Sequence, residues 1–141
     1  MPGRTTGREK PTFNEKGMTQ WYWRVLHREG LTLGENTQIG SFSVIDALKG
    51  VEIGDNVKIG FGCYILSYSS IDCKAGKVQL KKGCKIGSNT VVMPNTKIGE
   101  NAIVGANSFV NRDVPANEIW AGTPIKYLKD IDENDVSRQV L

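Results

Sequence analysis

The chain has 141 residues, 18 basic and 15 acidic side chains for a net charge of +3, 16 glycines and only 8% aromatic residues. That length suits one domain with a real core, and glycine-rich, aromatic-poor composition argues against a helix bundle and for a chain that turns often. So small a charge does not single out nucleic acid as a partner, and no apolar run approaches the roughly 20 residues of a membrane helix.

Residues 1–17 (MPGRTTGREKPTFNEKG) are polar and without periodicity, which predicts a flexible arm or one lying on a neighbour. No secretory signal is recognisable in this stretch, so the expected location is the cytoplasm. Next comes MTQWYWRVLHREG. Met18, Trp21, Val25 and Leu26 follow helical spacing and Gly30 is a natural stop, so 18–32 is expected to form a short helical cap. His27, the only histidine, falls in this cap.

From 33 to 122 the period is six. Aliphatic residues recur at Leu33, Ile39, Ile45, then Ile53, Ile59, Ile65, Ile71, then Leu80, Ile86, Val92, Ile98, Val104, Val110. Two positions earlier stands a small or β-branched residue, such as Thr37, Ser43, Cys63 or Thr90, and glycine often follows the aliphatic. Neither the helical period nor simple alternation gives this pattern. It predicts an all-β solenoid, a left-handed parallel β-helix of hexapeptide repeats in which three units close one triangular coil. The register breaks twice, by a step of 8 from Ile45 to Ile53 and of 9 from Ile71 to Leu80. Counting in threes starts coils near Leu33, Ile53, Ile71, Val92 and Val110, with corner loops at 46–52 and 72–79. The same count stacks Cys63 beside Cys84 as two small buried thiols, in preference to a redox pair. After a Gly-Thr-Pro turn, Ile125, Leu128 and Ile131 form one apolar stripe, so 123–141 is expected to fold back as a C-terminal helix and tail.

The run from Ile86 to Asp130, and above all DVP followed by IWAGTPIK at 113–126, resembles the C-terminal part of hexapeptide-repeat acetyltransferases. The resemblance is especially to sugar O-acetyltransferases of the galactoside/maltose type and their capsule and lipopolysaccharide relatives, and it covers about 33–130. It implies a homotrimer with active sites between neighbouring β-helices, acetyl-CoA as cosubstrate, and a sugar or amino-sugar acceptor, nucleotide-linked in some relatives. Carried across by position, Ser88 offers the backbone N–H that meets the thioester carbonyl. Gly105 and Ala106 contact the pantetheine arm, Asn111 and Arg112 stand near the nucleotide, and Lys126 and Lys129 near the phosphates. From the residues alone, Arg112, Lys126 and Lys129 are either phosphate-binding cations or a solvated basic rim.

The departure lies on the acceptor side. Where the family carries a catalytic histidine, this chain reads Ile65-Leu66-Ser67-Tyr68. Tyrosine, with a reference pKa near 10, is a poor proton acceptor at neutral pH. An amine acceptor, part of which is already neutral, needs only alignment and an oxyanion donor. N-acetylation is therefore favoured, with Tyr68 and Ser67 orienting the acceptor. Two alternatives stay open: O-acetylation using another base such as His27, and a non-catalytic trimeric CoA-binding scaffold. One histidine excludes the three-histidine zinc site of trimeric carbonic anhydrases, and no metal is expected.

Overall fold

A computed structural model describes residues 9–132 of the protein. Within that span the chain winds as a parallel β-solenoid whose turns each lay one short strand on three sheets. Strand β1 (Arg24–Leu26) opens the winding, and β2 (Leu31–Leu33), β3 (Gln38–Ile39) and β4 (Val44–Asp46) complete a first coil. The second coil holds β5 (Val51–Ile53), β6 (Lys58–Ile59) and β7 (Tyr64–Leu66), followed by a hairpin of β8 (Tyr68–Ser69) and β9 (Lys74–Ala75). Then come β10 (Val78–Leu80), β11 (Lys85–Ile86) and β12 (Val91–Val92), and a fourth coil of β13 (Lys97–Ile98), β14 (Ile103–Val104) and β15 (Phe109–Val110). β16 (Glu118–Ala121) and β17 (Lys126–Asp130) close the top.

Sheet 1 stacks β2, β5, β10 and β13; sheet 2 stacks β3, β6, β11, β14, β16 and β17; sheet 3 stacks β1, β4, β7, β12 and β15. The hexad aliphatics point inward as three columns, with Ile39, Ile45, Ile65, Val92, Ile98, Val104 and Val110 fully buried. Each such side chain contributes roughly 1.5–3 kcal/mol by leaving water. Among the described residues no helix is long and apolar enough to cross a membrane.

The corners divide their work between two residue types. The glycine after each inward aliphatic allows close stacking: a Cβ on Gly40 would stand 2.4 Å from the Phe61 backbone nitrogen in the next coil. The left-handed backbone angle falls two residues later, mostly on asparagine, with φ from 56° at Asn36 to 63° at Asn89. Asparagine tolerates that region because its short polar side chain finds local hydrogen bonds. Here the amides also bond from coil to coil, Asn36 Nδ2 to Asn56 Oδ1 at 2.8 Å and Asn89 Nδ2 to Asn107 Oδ1 at 3.2 Å.

Three consequences of the expected register are corrected. Ile71 matches the hexad spacing but is not a core residue: it is 94% exposed at the tip of the β8–β9 hairpin. The second excursion therefore runs from Ser67 to Lys77, earlier than 72–79, and the third and fourth coils start at Leu80 and Ile98. All faces after Ile65 move by one. Ile65 pairs with Val92 and Ile86 with Ile59, so Cys63 and Cys84 occupy different corners. Cys63 stacks on Ser43, whose Oγ accepts its N–H at 3.0 Å, whereas Cys84 lies over Val57, its carbonyl accepting the Lys58 N–H at 3.1 Å.

The N-terminal helix does not form either. Trp23 and Val25 are buried as one further hexad, Trp23 standing where Ser43 and Cys63 stand in the coils above. A large ring fits that slot because no coil lies beneath it, and Phe13 packs edge-on against it with centroids 5.9 Å apart. Helical structure there shrinks to one 3-10 turn, Arg28–Gly30. At the other end the predicted helix is β17, antiparallel on β16. The open edge of β16 takes a strand more readily than a helix because its N–H and C=O groups need partners. Ile125 plugs the core while Leu128 stays exposed. The rest of the expected C-terminal segment, 133–141, and the first eight residues of the N-terminal arm lie outside the described residues.

This register yields a direct test. Ile65→Ala should cost about 2–5 kcal/mol in urea unfolding, whereas Ile71→Ala, equally in phase in the sequence, should change stability by less than about 0.5 kcal/mol. Equal losses would contradict the hairpin.

Candidate active site

Two edges of sheet 3 collect the residues of interest. On the edge shared with sheet 2, four corners stack through backbone hydrogen bonds: Gly62 N–H to Ser41 O at 3.1 Å, Asn89 N–H to Phe61 O at 2.8 Å, and Asn107 N–H to Ser88 O at 2.8 Å. The track reads Ser41, Phe61, Ser88, Ala106 from bottom to top. Ser88 is partly exposed, and its Oγ accepts the Phe61 N–H at 3.2 Å. Its amide passes directly over Gly60, where a Cβ would stand 2.6 Å from the Ser88 nitrogen. Gly105 spends its polar groups inside the fold, donating to Trp120 O at 2.9 Å and accepting the Ser108 hydroxyl at 2.6 Å. Its use to this edge is the side chain it lacks.

Lys126 pairs with Ala121 at the top of the same edge, while Lys129 pairs with Ile119 toward the far end of β16. Arg112 and Asn111 leave sheet 3 at its other edge. The Arg112 guanidinium lies 5.3 Å from the Trp120 ring centroid, across the top of the solenoid. The structure thus brings Ser88, Ala106 and Lys126 into line and holds Arg112, Asn111 and Lys129 away from that line.

Tyr68 lies on the opposite edge of sheet 3, shared with sheet 1, where the hairpin departs. Ser67 is fully buried beneath it. Its hydroxyl donates to Asp46 O at 2.7 Å and accepts the Lys49 N–H at 2.9 Å. Ser67 therefore clamps the hairpin base to the 47–50 loop, and Tyr68, the next residue, is partly exposed. Within the hairpin, a hydrogen bond from Ser69 holds the Asp72 carboxyl below the usual carboxylate range. Below on this edge, His27 Nδ1 stands 3.3 Å from Asp46 Oδ1, and the imidazole is about half exposed beside an open groove of about 620 Å³. Asp46 is held in turn by the Leu48 N–H at 3.1 Å.

Sequence reasoning missed Asp46 as the partner of His27, and it missed the aromatic residues of the other edge. The signal for the latter was present. Four corner strings read GSFSV, GFGCY, GSNTV and GANSF, and a phenylalanine replaces asparagine or a small residue in the first two.

The model of bacterial transferase hexapeptide repeats matches residues 30–67 and 77–112, together just over half of the chain. The chain belongs to the bacterial transferase hexapeptide family. The gap in that match is the hairpin. A putative acetyltransferase of Bacillus subtilis, YvoF, is 29% identical over 121 residues, covering 83% of this chain and 69% of its own length. A UDP-3-O-acylglucosamine N-acyltransferase of Caulobacter is 33% identical over 116 residues, 75% of this chain but 33% of the relative. The chain thus spans only about a third of that enzyme. Among solved structures, the Vibrio cholerae acetyltransferase VCA0836 with acetyl-CoA superposes with a TM-score of 0.74 at 27% identity, over 79% of this chain and 66% of that one. The N-acyltransferase AntD of Bacillus cereus superposes at 0.67 with 21% identity, over 88% and 86%, and shares the fold.

The cysteines give a check on burial. Burial pushes the Cys84 thiol up to about 12 and raises that of Cys63, whereas Cys73 is exposed on the hairpin. A thiol whose folded pKa is raised favours folding below its unfolded pKa and loses that contribution as pH rises above it. Stability should therefore fall from about pH 8.5 upward, and Cys84→Val should flatten the decline. In native protein at pH 8, a disulfide-exchange reagent should label one thiol per chain, that of Cys73.

Proposed function

We propose that the protein transfers an acetyl group from acetyl-CoA to the amino group of a sugar-like acceptor. The observation that carries this is the alignment of Ser88, Ala106 and Lys126 on one edge of sheet 3, a narrow track of small side chains ending at a cation. A long anionic thioester is suited to such a track: backbone groups along an extended edge and a lysine for a phosphate. The named relatives support the acyl chemistry, and the Caulobacter relative acts on an amine.

In this scheme the amine lone pair attacks the thioester carbonyl carbon and the π electrons move to oxygen. The Ser88 N–H stabilises that oxyanion, a contribution typically of about 2.7–4 kcal/mol for one donor. The carbonyl re-forms, the C–S bond breaks, and CoA leaves as thiolate. The proton shed by the new amide passes to water or to the thiolate, so no strong base is required. Tyr68 orients the acceptor.

Tyr68 and Ser88 occupy opposite edges of one sheet, so a site using both is completed by a second copy. The outer surface of sheet 3 suits such a contact. Val44, Tyr64, Val91 and Phe109 run up it in register, whereas the matching column on sheet 1 is Thr32, Glu52, Gln79 and Lys97. We read the protein as a trimer assembled through this apolar face.

Calorimetry and thiol-release assays test the reading. Acetyl-CoA should bind, and Ala106→Phe, which fills the track without touching the core, should weaken it by at least about tenfold. Tyr68→Phe should lower turnover of an amine acceptor while leaving acetyl-CoA affinity unchanged. Loss of neither property would remove both residues from the site.

The contact between His27 and Asp46 favours a second reading, O-acetylation. A carboxylate at 3.3 Å fixes the imidazole orientation and leaves Nε2 to accept a hydroxyl proton. If this is the chemistry, turnover of an alcohol acceptor should drop by about 100-fold or more in His27→Asn and substantially in Asp46→Asn, with amine turnover spared. Alcohol turnover indifferent to both changes would exclude the dyad.

A further inference from the structure

On the edge that carries Ser88, the two halves of the track differ in kind. Above, the corner residues are Ser88, Asn89, Ala106 and Asn107. Below, they are Tyr22, Phe42 and Phe61, exposed by 58%, 73% and 52%. Packing within one chain explains none of these rings, and the backbone argues against two of them. Tyr22 and Phe42 both have φ of 68°, in the slot that Gly62, Asn89 and Asn107 fill in the coils above. A bulky side chain in the left-handed region is strained, and such strain persists where a function requires it. Asparagine would serve the fold better at both positions.

We propose that Tyr22, Phe42 and Phe61 form the platform on which the acceptor lays a ring face, making them the specificity-determining residues of the acceptor subsite. The assignment rests on the acyl-transfer reading above and extends it. The backbone fixes Phe61 directly beneath Ser88, its N–H donating to Ser88 Oγ at 3.2 Å, so the ring projects one coil below the proposed reacting end. The rings stand proud while the residues above them are small, so the edge forms a step, with aromatic surface on the acceptor side and a narrow track on the donor side. Lys58 and Lys85 run in register on the outer surface of sheet 2 beside this edge, and among the described residues neither is in an ion pair. Aromatic stacking beside unpaired cations suits a ring-bearing anion, so the expected occupant is a nucleotide-linked amino sugar. Its stacked ring is either the base or the pyranose, since both present a flat face to an aromatic side chain.

The experiment is calorimetric titration with UDP-glucosamine, glucosamine and UMP, and separately with acetyl-CoA. UDP-glucosamine should bind, and Phe61→Ala and Phe42→Asn should each weaken it about tenfold without altering acetyl-CoA affinity. Phe42→Asn should also unfold at the same temperature as the parent or higher, because it relieves the backbone, which separates lost binding from lost fold. Retained binding of UMP assigns the base to the platform, and of glucosamine the sugar. Unchanged UDP-glucosamine affinity in both variants, or no binding by the parent, would overturn the proposal. So would dissociation of the oligomer in Phe42→Asn by sedimentation, which would make the rings a subunit contact. Failure of acetyl-CoA to bind while ring-dependent UDP-glucosamine binding persists would instead defeat the acyl-transfer reading and leave the platform standing.

Discussion

Everything in this molecule depends on one steric limit: successive coils stack at the spacing of hydrogen-bonded strands, about 4.8 Å, and corners at that spacing have no room for an inward-leaning side chain. A Cβ on Gly34, Gly60 or Gly87 would come within 2.4–2.6 Å of an atom in the coil above. The hexad is the sequence form of that limit. Its aliphatic fills the interior, its glycine lets the next corner close down, and its asparagine takes the left-handed turn and links to the asparagine above. Because the corners are so tightly specified, a residue that breaks their pattern without breaking the fold has another reason to be there.

The two ends show what happens when stacking stops. A coil with no neighbour leaves a core cross-section and a row of strand groups open to water. At the bottom, Trp23 fills the cross-section from a slot that holds serine or cysteine in the two coils above. At the top, Trp120 and Ile125 fill it, and β17 supplies hydrogen bonds to β16. Both ends therefore substitute bulk for repetition, and both lose the six-residue signature as a result.

That is why the middle was legible in the sequence and the ends were not. Thirteen in-phase aliphatics carried the solenoid, and twelve of them sit on its three sheets; the thirteenth, Ile71, coincided with the phase by chance. A period test cannot distinguish a buried isoleucine from one at the tip of a hairpin. Ser69 even supplies the small residue two positions before Ile71, so only the polar Asp72, the Cys73 and the Lys74 that follow it hint at a hairpin tip. The stacking of Ser88 and Ala106 on one edge was readable because both follow the repeat, whereas Lys126 joins them through β17, a segment whose spacing reads as a helix. The His27–Asp46 contact was not readable, since it joins two coils at a register that only the buried Trp23 reveals. At both termini an apolar stripe of helical spacing was in fact a strand, because spacing of three and four residues over so short a run also fits chain entering and leaving a coil.

The same rigidity bears on how Tyr68 is held. Tyr68 starts a hairpin, an element that frays readily when it hangs on its turn alone. Ser67 prevents that. Fully buried, it ties the hairpin base to Asp46 and Lys49 through its hydroxyl, and its carbonyl accepts the Gly76 N–H at 2.9 Å. Asp46 thus anchors the hairpin through its backbone while its carboxylate meets His27. His27 and the base of the Tyr68 hairpin are thus both tied to one residue of a core-facing strand. A solenoid offers few concave surfaces within a single chain, so in the proposed trimer precision would come from edges fixed in this way and then brought against one another. In the proposed acyl transfer, the Ser88 N–H on one edge of sheet 3 and Tyr68 on the other would meet only across a contact between two copies, and burial of the apolar face between them would set their distance.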